Sequence, residues 1–154
     1  MILNHPIRIS TLKLVATIIF LFSTSVFATE RCTKEDSIAA ASIHFYIESW
    51  AGMQELYKHY AHCDDGEAAE GFSDAVGRLL IKSWRRLPEL AKLSQANPGF
   101  LKFVLRHIDS TLLPEDLARI EFKANHQCTR SQNTLCKKIA KEAKDARSEQ
   151  KTPF

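Results

Sequence analysis

Apolar residues return at intervals of three and four along nearly the whole of this 154-residue chain from about residue 34 onward. That spacing is the period of a helix. Strand-like alternation is absent and β-branched residues are few, so little here would build a sheet. Thr33-Lys34-Glu35-Asp36 reads as a helix start, a hydroxyl cap followed by acids that suit the positive end of the helix dipole. Ala39, Ile43, Tyr46, Ile47, Trp50, Met53, Tyr57 and Tyr60 then continue the series. An unbroken helix from about 34 to 61 would span about 40 Å at 1.5 Å per residue. Gly52 costs about 1 kcal/mol inside a helix, so a break is expected near Ser49-Trp50-Ala51-Gly52.

Asp64-Asp65-Gly66 predicts a turn, followed by a helix from Glu67 to about Trp84 with Phe72, Val76, Leu79, Leu80 and Ile81 as its buried stripe. A short helix is expected at Leu87 to Ser94. Asn97 as cap and Pro98 in the first turn open another, with Phe100, Leu101, Val104 and Ile108 on one face. Pro114-Glu115-Asp116 starts the next, with Leu113, Leu117, Ile120 and Ala124 on one side; Leu135, Ile139, Ala143 and Ala146 define the last. Trp50, Trp84, Phe45, Phe72, Phe100 and Phe103 are assigned to the core. The sum is an all-α bundle of five or six helices in one domain, residues 29–154, with a frayed polar tail from about residue 148.

The first 28 residues carry a different signature. Arg8 and Lys13 precede the apolar run Leu14 to Phe22, and Ser23-Thr24-Ser25 and Val26-Phe27-Ala28 follow. This is the pattern of a secretory signal peptide cleaved after Ala28, and the apolar core is shorter than the about 20 residues that span a bilayer. The mature chain is therefore expected in the periplasm or secreted, not embedded in the membrane. A lipid-anchored Cys32 is rejected because charged, bulky Glu30 and Arg31 precede it. In that setting the four cysteines, Cys32, Cys63, Cys128 and Cys136, read as two disulfides. Three connectivities are open. Cys128 and Cys136 are close enough to staple a short helix-to-helix turn, which would leave Cys32 with Cys63. Cys32 and Cys63 can bond only if the first helix breaks, because a disulfide needs Cα atoms within about 7 Å.

The signal carries two of the 21 basic residues and none of the 18 acidic ones, so the mature part is nearly neutral, with 19 basic residues against 18. Such a balance gives no reason to expect a nucleic-acid partner. Nor does the tail from Lys137 to Lys151, whose alternating charges read as a solvated helix face. No cofactor is called for, since a phosphate-binding glycine loop, a G-x-S-x-G elbow and an H-E-x-x-H pair are all missing from the sequence.

Reactive groups concentrate between His59 and Asp74. His59 and His62 lie three apart and Cys63 adjoins them, which would suit a metal only if the thiol were free. Asp64, Asp65, Glu67, Glu70 and Asp74 put five acids in eleven residues, with the last three on one helix face. They either stabilise the helix start or form an acidic surface that meets a basic groove on a partner. Arg106-His107-Ile108-Asp109-Ser110 places a histidine beside an acid that could orient it as a general base, or simply ends a helix with cations against its dipole.

The block from Trp50 through Cys63-Asp64-Asp65-Gly66 to Phe72-Ser73-Asp74, with Arg106-His107-Ile108-Asp109, resembles a type of small exported bacterial protein. The plan of a signal peptide before a disulfide-bearing helical domain is also similar to periplasmic immunity proteins that neutralise type VI secreted cell-wall amidases. That resemblance implies tight binding of a toxin, blocking its active site, with no chemistry of its own. The expectation is thus a non-enzymatic, immunity- or inhibitor-like protein that occludes a toxin or envelope protein through Asp64, Asp65, Glu67, Glu70 and Asp74. The alternatives are a small periplasmic hydrolase or metal-dependent enzyme using His59, His62 or His107, and a structural protein of the envelope.

Overall fold

The computed structural model describes residues 31–151. The signal-peptide reading of residues 1–28 lies outside them. Thr33 caps the first helix, α1 (Lys34–Ile43), its hydroxyl accepting from the Asp36 N–H at 3.1 Å. The helix stops at Ile43 and tightens into a 3-10 turn, His44–Tyr46. Ser49 is extended and caps α2 (Trp50–Tyr60), its hydroxyl accepting from the Gly52 N–H at 3.0 Å. The break thus falls just ahead of Trp50. Gly52 sits inside the first turn of α2, where the Ser49 cap offsets its cost.

A second 3-10 turn, Ala61–Cys63, leads into α3 (Gly66–Lys82), and a third, Trp84–Arg86, into α4 (Leu87–Ala96). The Asn97 side chain accepts from the Phe100 N–H at 3.1 Å and opens α5 (Pro98–Arg106). α6 (Pro114–His126) also begins on a proline, and a last 3-10 turn, Arg130–Gln132, precedes α7 (Asn133–Glu149). The described residues are all-helical, without a strand. Seven α-helices replace the expected five or six, because the first apolar series makes two of them and five more follow.

α3 is the central element, packed against α1, α2 and α6, while α6 and α7 form a long antiparallel pair. Two glycines let other elements come close to α3. A Cβ at Gly71 would lie 2.5 Å from the His44 ring, and one at Gly77 would lie 2.8 Å from a Leu112 methyl. Trp50, Phe72, Phe100, Leu80, Leu90, Leu117, Ile120 and Ile139 form the centre of a single core. Four expected inward positions fall outside it, Ile43 at the end of α1 being 36% exposed. Phe45 and Tyr46 are 70% and 81% exposed, and Leu113 is exposed at the cap of α6. For the aromatic pair the cause is the end of α1 at Ile43, which takes both residues off the helical register that had counted them inward.

The disulfides pair Cys32 with Cys63 and Cys128 with Cys136, with Cα atoms 4.9 and 6.4 Å apart. The first ties the start of α1 to the end of α2 and is open to it only because the chain turns back between them. The second staples the turn between α6 and α7. Both suit an oxidising compartment. Among the described residues no helix is long and apolar enough to cross a membrane. Residues 152–154 of the expected polar tail lie outside the described residues. α7 runs to Glu149, and the Gln150 amide donates to the carbonyls of Ser110 and Leu112 at 2.9 and 2.7 Å.

Candidate functional site

Cys63, fixed by its disulfide, sets the position of Asp64, and Asp65 then caps α3 by accepting from the Gly66 N–H at 2.8 Å. Gly66 takes φ +51°, a left-handed conformation that glycine adopts without a side-chain penalty. One and two turns into α3 come Ala69 and Ser73. Across from them, the end of α5 supplies Arg106 and His107, and the following turn supplies Asp109. These groups meet in one polar chain. His107 Nε2 stands 3.2 Å from Asp64 Oδ2, and Arg106 forms an ion pair with the same carboxylate. His107 Nδ1 stands 3.0 Å from Ser73 Oγ. Ser73 Oγ is 2.7 Å from Asp109 Oδ2 and 3.1 Å from the Ala69 carbonyl oxygen. Asp109 Oδ1 accepts from the Thr111 N–H at 2.9 Å and from the Thr111 hydroxyl at 2.5 Å.

Burial first, and the neighbouring Arg106 charge second, hold the His107 imidazole down at about 4, against a smaller upward pull from Asp109. A neutral ring has one N–H. Facing a carboxylate at Nε2, it donates there and accepts at Nδ1. The Ser73 hydroxyl has a single proton to share among His107 Nδ1, Asp109 Oδ2 and the Ala69 carbonyl, and these contacts pack serine, imidazole and Asp109 against one another.

A serine, a histidine and an aspartate in sequence resemble a hydrolytic triad. The surroundings do not suit attack on a substrate. Ser73 is 1% exposed and His107 2%. The Phe103 and Phe72 rings lie edge-on to the imidazole, with centroids 4.4 and 5.6 Å away. A nucleophile needs room for an acyl carbon and donors for its oxygen about 3 Å off; here the hydroxyl is enclosed by its own partners. The arrangement ties the start of α3 to the end of α5.

Asp64, expected on the acidic surface, is engaged within the protein and also lines an open groove. It points inward with its side chain 8% exposed, compensating His107 and Arg106. Asp65 is exposed but engaged as a cap, while Glu67 and Glu70 are exposed on α3. Asp74 is exposed and ion-paired with Arg78, 3.8 Å from His44 Nε2. His59 is exposed and Cys63 is bound in its disulfide, so His59, His62 and Cys63 do not converge. His62 lies 3.7 Å from Asp36 in the wall of an open groove of about 600 Å³, which Lys34, Asp65, Glu67 and Arg106 also line.

Sequence reasoning missed two features. Ser73 shares a helical face with Val76 and Leu80, and a hydroxyl in such a stripe is a signal for a buried hydrogen bond. The other is an aromatic knob. Phe45 and Tyr46 stand out from the turn after α1, with Ile38 59% exposed two turns earlier. His44 beneath them is buried. Its carbonyl accepts from Arg78 at 2.6 Å and its ring lies 3.9 Å, centroid to centroid, from that of Phe45. Burial also holds the His44 imidazole below its ordinary value. His44 thus seats the knob on α3 near Asp74 and Arg78, and Phe45 lines a groove with Glu48, Arg78 and Lys82.

No protein-family model, curated protein or solved structure matches the chain.

Proposed function

We propose that this chain is an exported binding protein, periplasmic or secreted, which acts by occluding a partner protein. The observation that carries the reading is the surface formed by α1 and α3. Phe45 and Tyr46, 70% and 81% exposed, follow the buried His44, whose ring packs on Gly71 and lies 3.8 Å from Asp74, on the helix α3 that also exposes Glu67 and Glu70; Phe45 also borders Arg78 and Lys82. Large exposed aromatics are costly in a free protein and common at the energetic centre of an interface. Carboxylates on α3 would steer a basic partner surface and reject acidic ones. The buried Ser73–His107 network supports the same reading, because it stiffens the base of α3 from which the acids project. An immunity-like role, in which the partner is a toxin whose active site is covered, is the form that the sequence resemblance suggests.

Immobilised protein is expected to retain a specific partner from an envelope or secreted-protein extract of its own source. The Phe45→Ser, Tyr46→Ser, Glu67→Lys, Glu70→Lys variant should lose at least about 100-fold in affinity for it, since central aromatics alone are worth 2 kcal/mol or more each. All four positions are solvent-facing, so the variant should keep its Tm. Equal retention by the variant would remove this surface as the contact.

The Ser73–His107–Asp109 geometry favours hydrolysis as the competing reading, and it has its own test. A fluorophosphonate probe is expected to leave Ser73 unlabelled in the folded protein. Labelling at Ser73 that is abolished in His107→Ala would replace occlusion with acyl-transfer chemistry.

A further inference from the structure

Apolar exposure is concentrated at one place among the described residues. Four of the six large apolar side chains that stand in solvent, Ile38, Ile43, Phe45 and Tyr46, fall within nine residues of chain around the end of α1. Single exposed apolar residues are ordinary, whereas a cluster of them marks a contact. The charges of α3 beneath this cluster are ordered by sign. Glu67, Glu70, Asp74, Arg78 and Lys82 follow one another at helical spacing along one face, three acids and then two bases. In the middle of the row Asp74 and Arg78 pair with each other. Glu67, Glu70 and Lys82 at its ends are exposed and form no ion pair among the described residues.

The knob rises from the middle of this row. The His44 ring is seated on Gly71 and the His44 carbonyl accepts from Arg78. Towards the acidic end, Glu67 shares a groove with Lys34 and Ser37 at the start of α1. Towards the basic end, Lys82 shares a groove with Phe45. Glu70 and Lys82 stand about 18 Å apart along the helix at 1.5 Å per residue, one on each side of the knob.

A surface ordered in this way is complementary to its own copy. In a two-fold contact both subunits use the same patch, so that residue i meets j and j meets i. With the two α3 helices antiparallel across the axis, the knobs meet at the centre, and the Glu67 and Glu70 end of each copy faces the Lys82 end of the other. A uniformly basic ligand would be opposed by Lys82 and a uniformly acidic one by Glu67 and Glu70. We infer that, before any other partner is bound, this chain pairs with a second copy of itself through the Phe45–Tyr46 knob and the sign-ordered face of α3. The pairing covers the exposed rings, and a foreign partner gains the surface by displacing the copy. This inference rests on the reading of the α1–α3 surface as a contact and names what occupies it in the partner's absence.

Sedimentation velocity of the oxidised, folded protein over a dilution series reads the association directly. The wild type is expected to show a monomer–dimer equilibrium that weakens with added salt. Phe45→Ser, Tyr46→Ser should weaken it at least about 100-fold, because symmetry counts each ring twice. Glu67→Lys and Lys82→Glu each set like charges across the axis at two places and should each weaken it about tenfold. In an equal mixture of these two single variants, a chain that is basic at both positions meets one that is acidic at both. The mixture should therefore associate about tenfold more tightly than either component alone, a rescue that damage to the fold would not produce. A wild type that stays monomeric up to about 1 mM would overturn the inference without need of any variant. So would a mixture that associates no better than its components, or a dimer that Phe45→Ser, Tyr46→Ser leaves intact. The two readings of the surface fail separately. A monomeric wild type that still retains a partner from an extract removes the self-pairing and leaves occlusion standing. A dimer with the expected mixing behaviour, and no partner retained from any extract, keeps the self-pairing and removes occlusion.

Discussion

The Cys32→Ser, Cys63→Ser variant is expected to lose about 3.7 kcal/mol of folding stability, against about 2.6 kcal/mol for Cys128→Ser, Cys136→Ser. The difference follows from loop length, since the first bridge spans 31 positions and the second eight. Whole domains are stable by only about 5–15 kcal/mol, so the first loss should lower Tm by about 10–20 °C. Its effect should also reach beyond chain entropy. Cys63 is buried in the core and immediately precedes Asp64, so opening the bridge frees the residue that pairs His107 and Arg106. Urea unfolding of the two double variants measures both effects. A smaller loss from the Cys32 and Cys63 pair than from the other would show that the first bridge closes over an end of the chain that is already held by packing.

Acid should also weaken the fold, over a window set by one residue. An unfolded histidine takes up its proton near pH 6.5, whereas His107 in the fold refuses it until about pH 4. Between those values the unfolded state binds more protons, so stability is complete above the upper value and falls as the pH drops towards the lower one. The full loss is about 3 kcal/mol. His44, also lowered by burial, acts in the same sense. The groups facing the His107 ring are Asp64, Ser73 and the Arg106 and Asp109 charges. Urea midpoints from pH 7 to 4 should show the decline, and His107→Gln should remove most of the slope while costing stability at pH 7. A wild-type midpoint that stays level from pH 7 to 4.5 would mean that the ring is charged in the fold, held as a cation between Asp64 and Asp109.

The helices that the sequence made legible are those specified locally. α5 needs only Asn97 and Pro98 to start it, and α6 only Pro114 with the acids behind it. The fate of Phe45 and Tyr46 depended instead on where α1 stops. Nothing within a few residues of Ile43 announces that stop, and it rests on His44 packing over Gly71, which is 27 positions away. The candidate site divides in the same way. Glu67 and Glu70 emerge on the face that helical spacing assigns them. The inward turn of Asp64 required knowing that α5 brings Arg106 and His107 opposite it, 42 and 43 positions later.

Each bridge joins cysteines that are neighbours in chain order, the first with the second and the third with the fourth. Under the proposed export, a polypeptide threading out amino end first would present its thiols in just that sequence. An oxidant working on the emerging strand would need only to couple each newcomer to the one still waiting, and the native arrangement would result without a shuffling catalyst to repair mistakes. Swapping partners becomes a hazard only for molecules released fully reduced, when all four sulfurs compete at once.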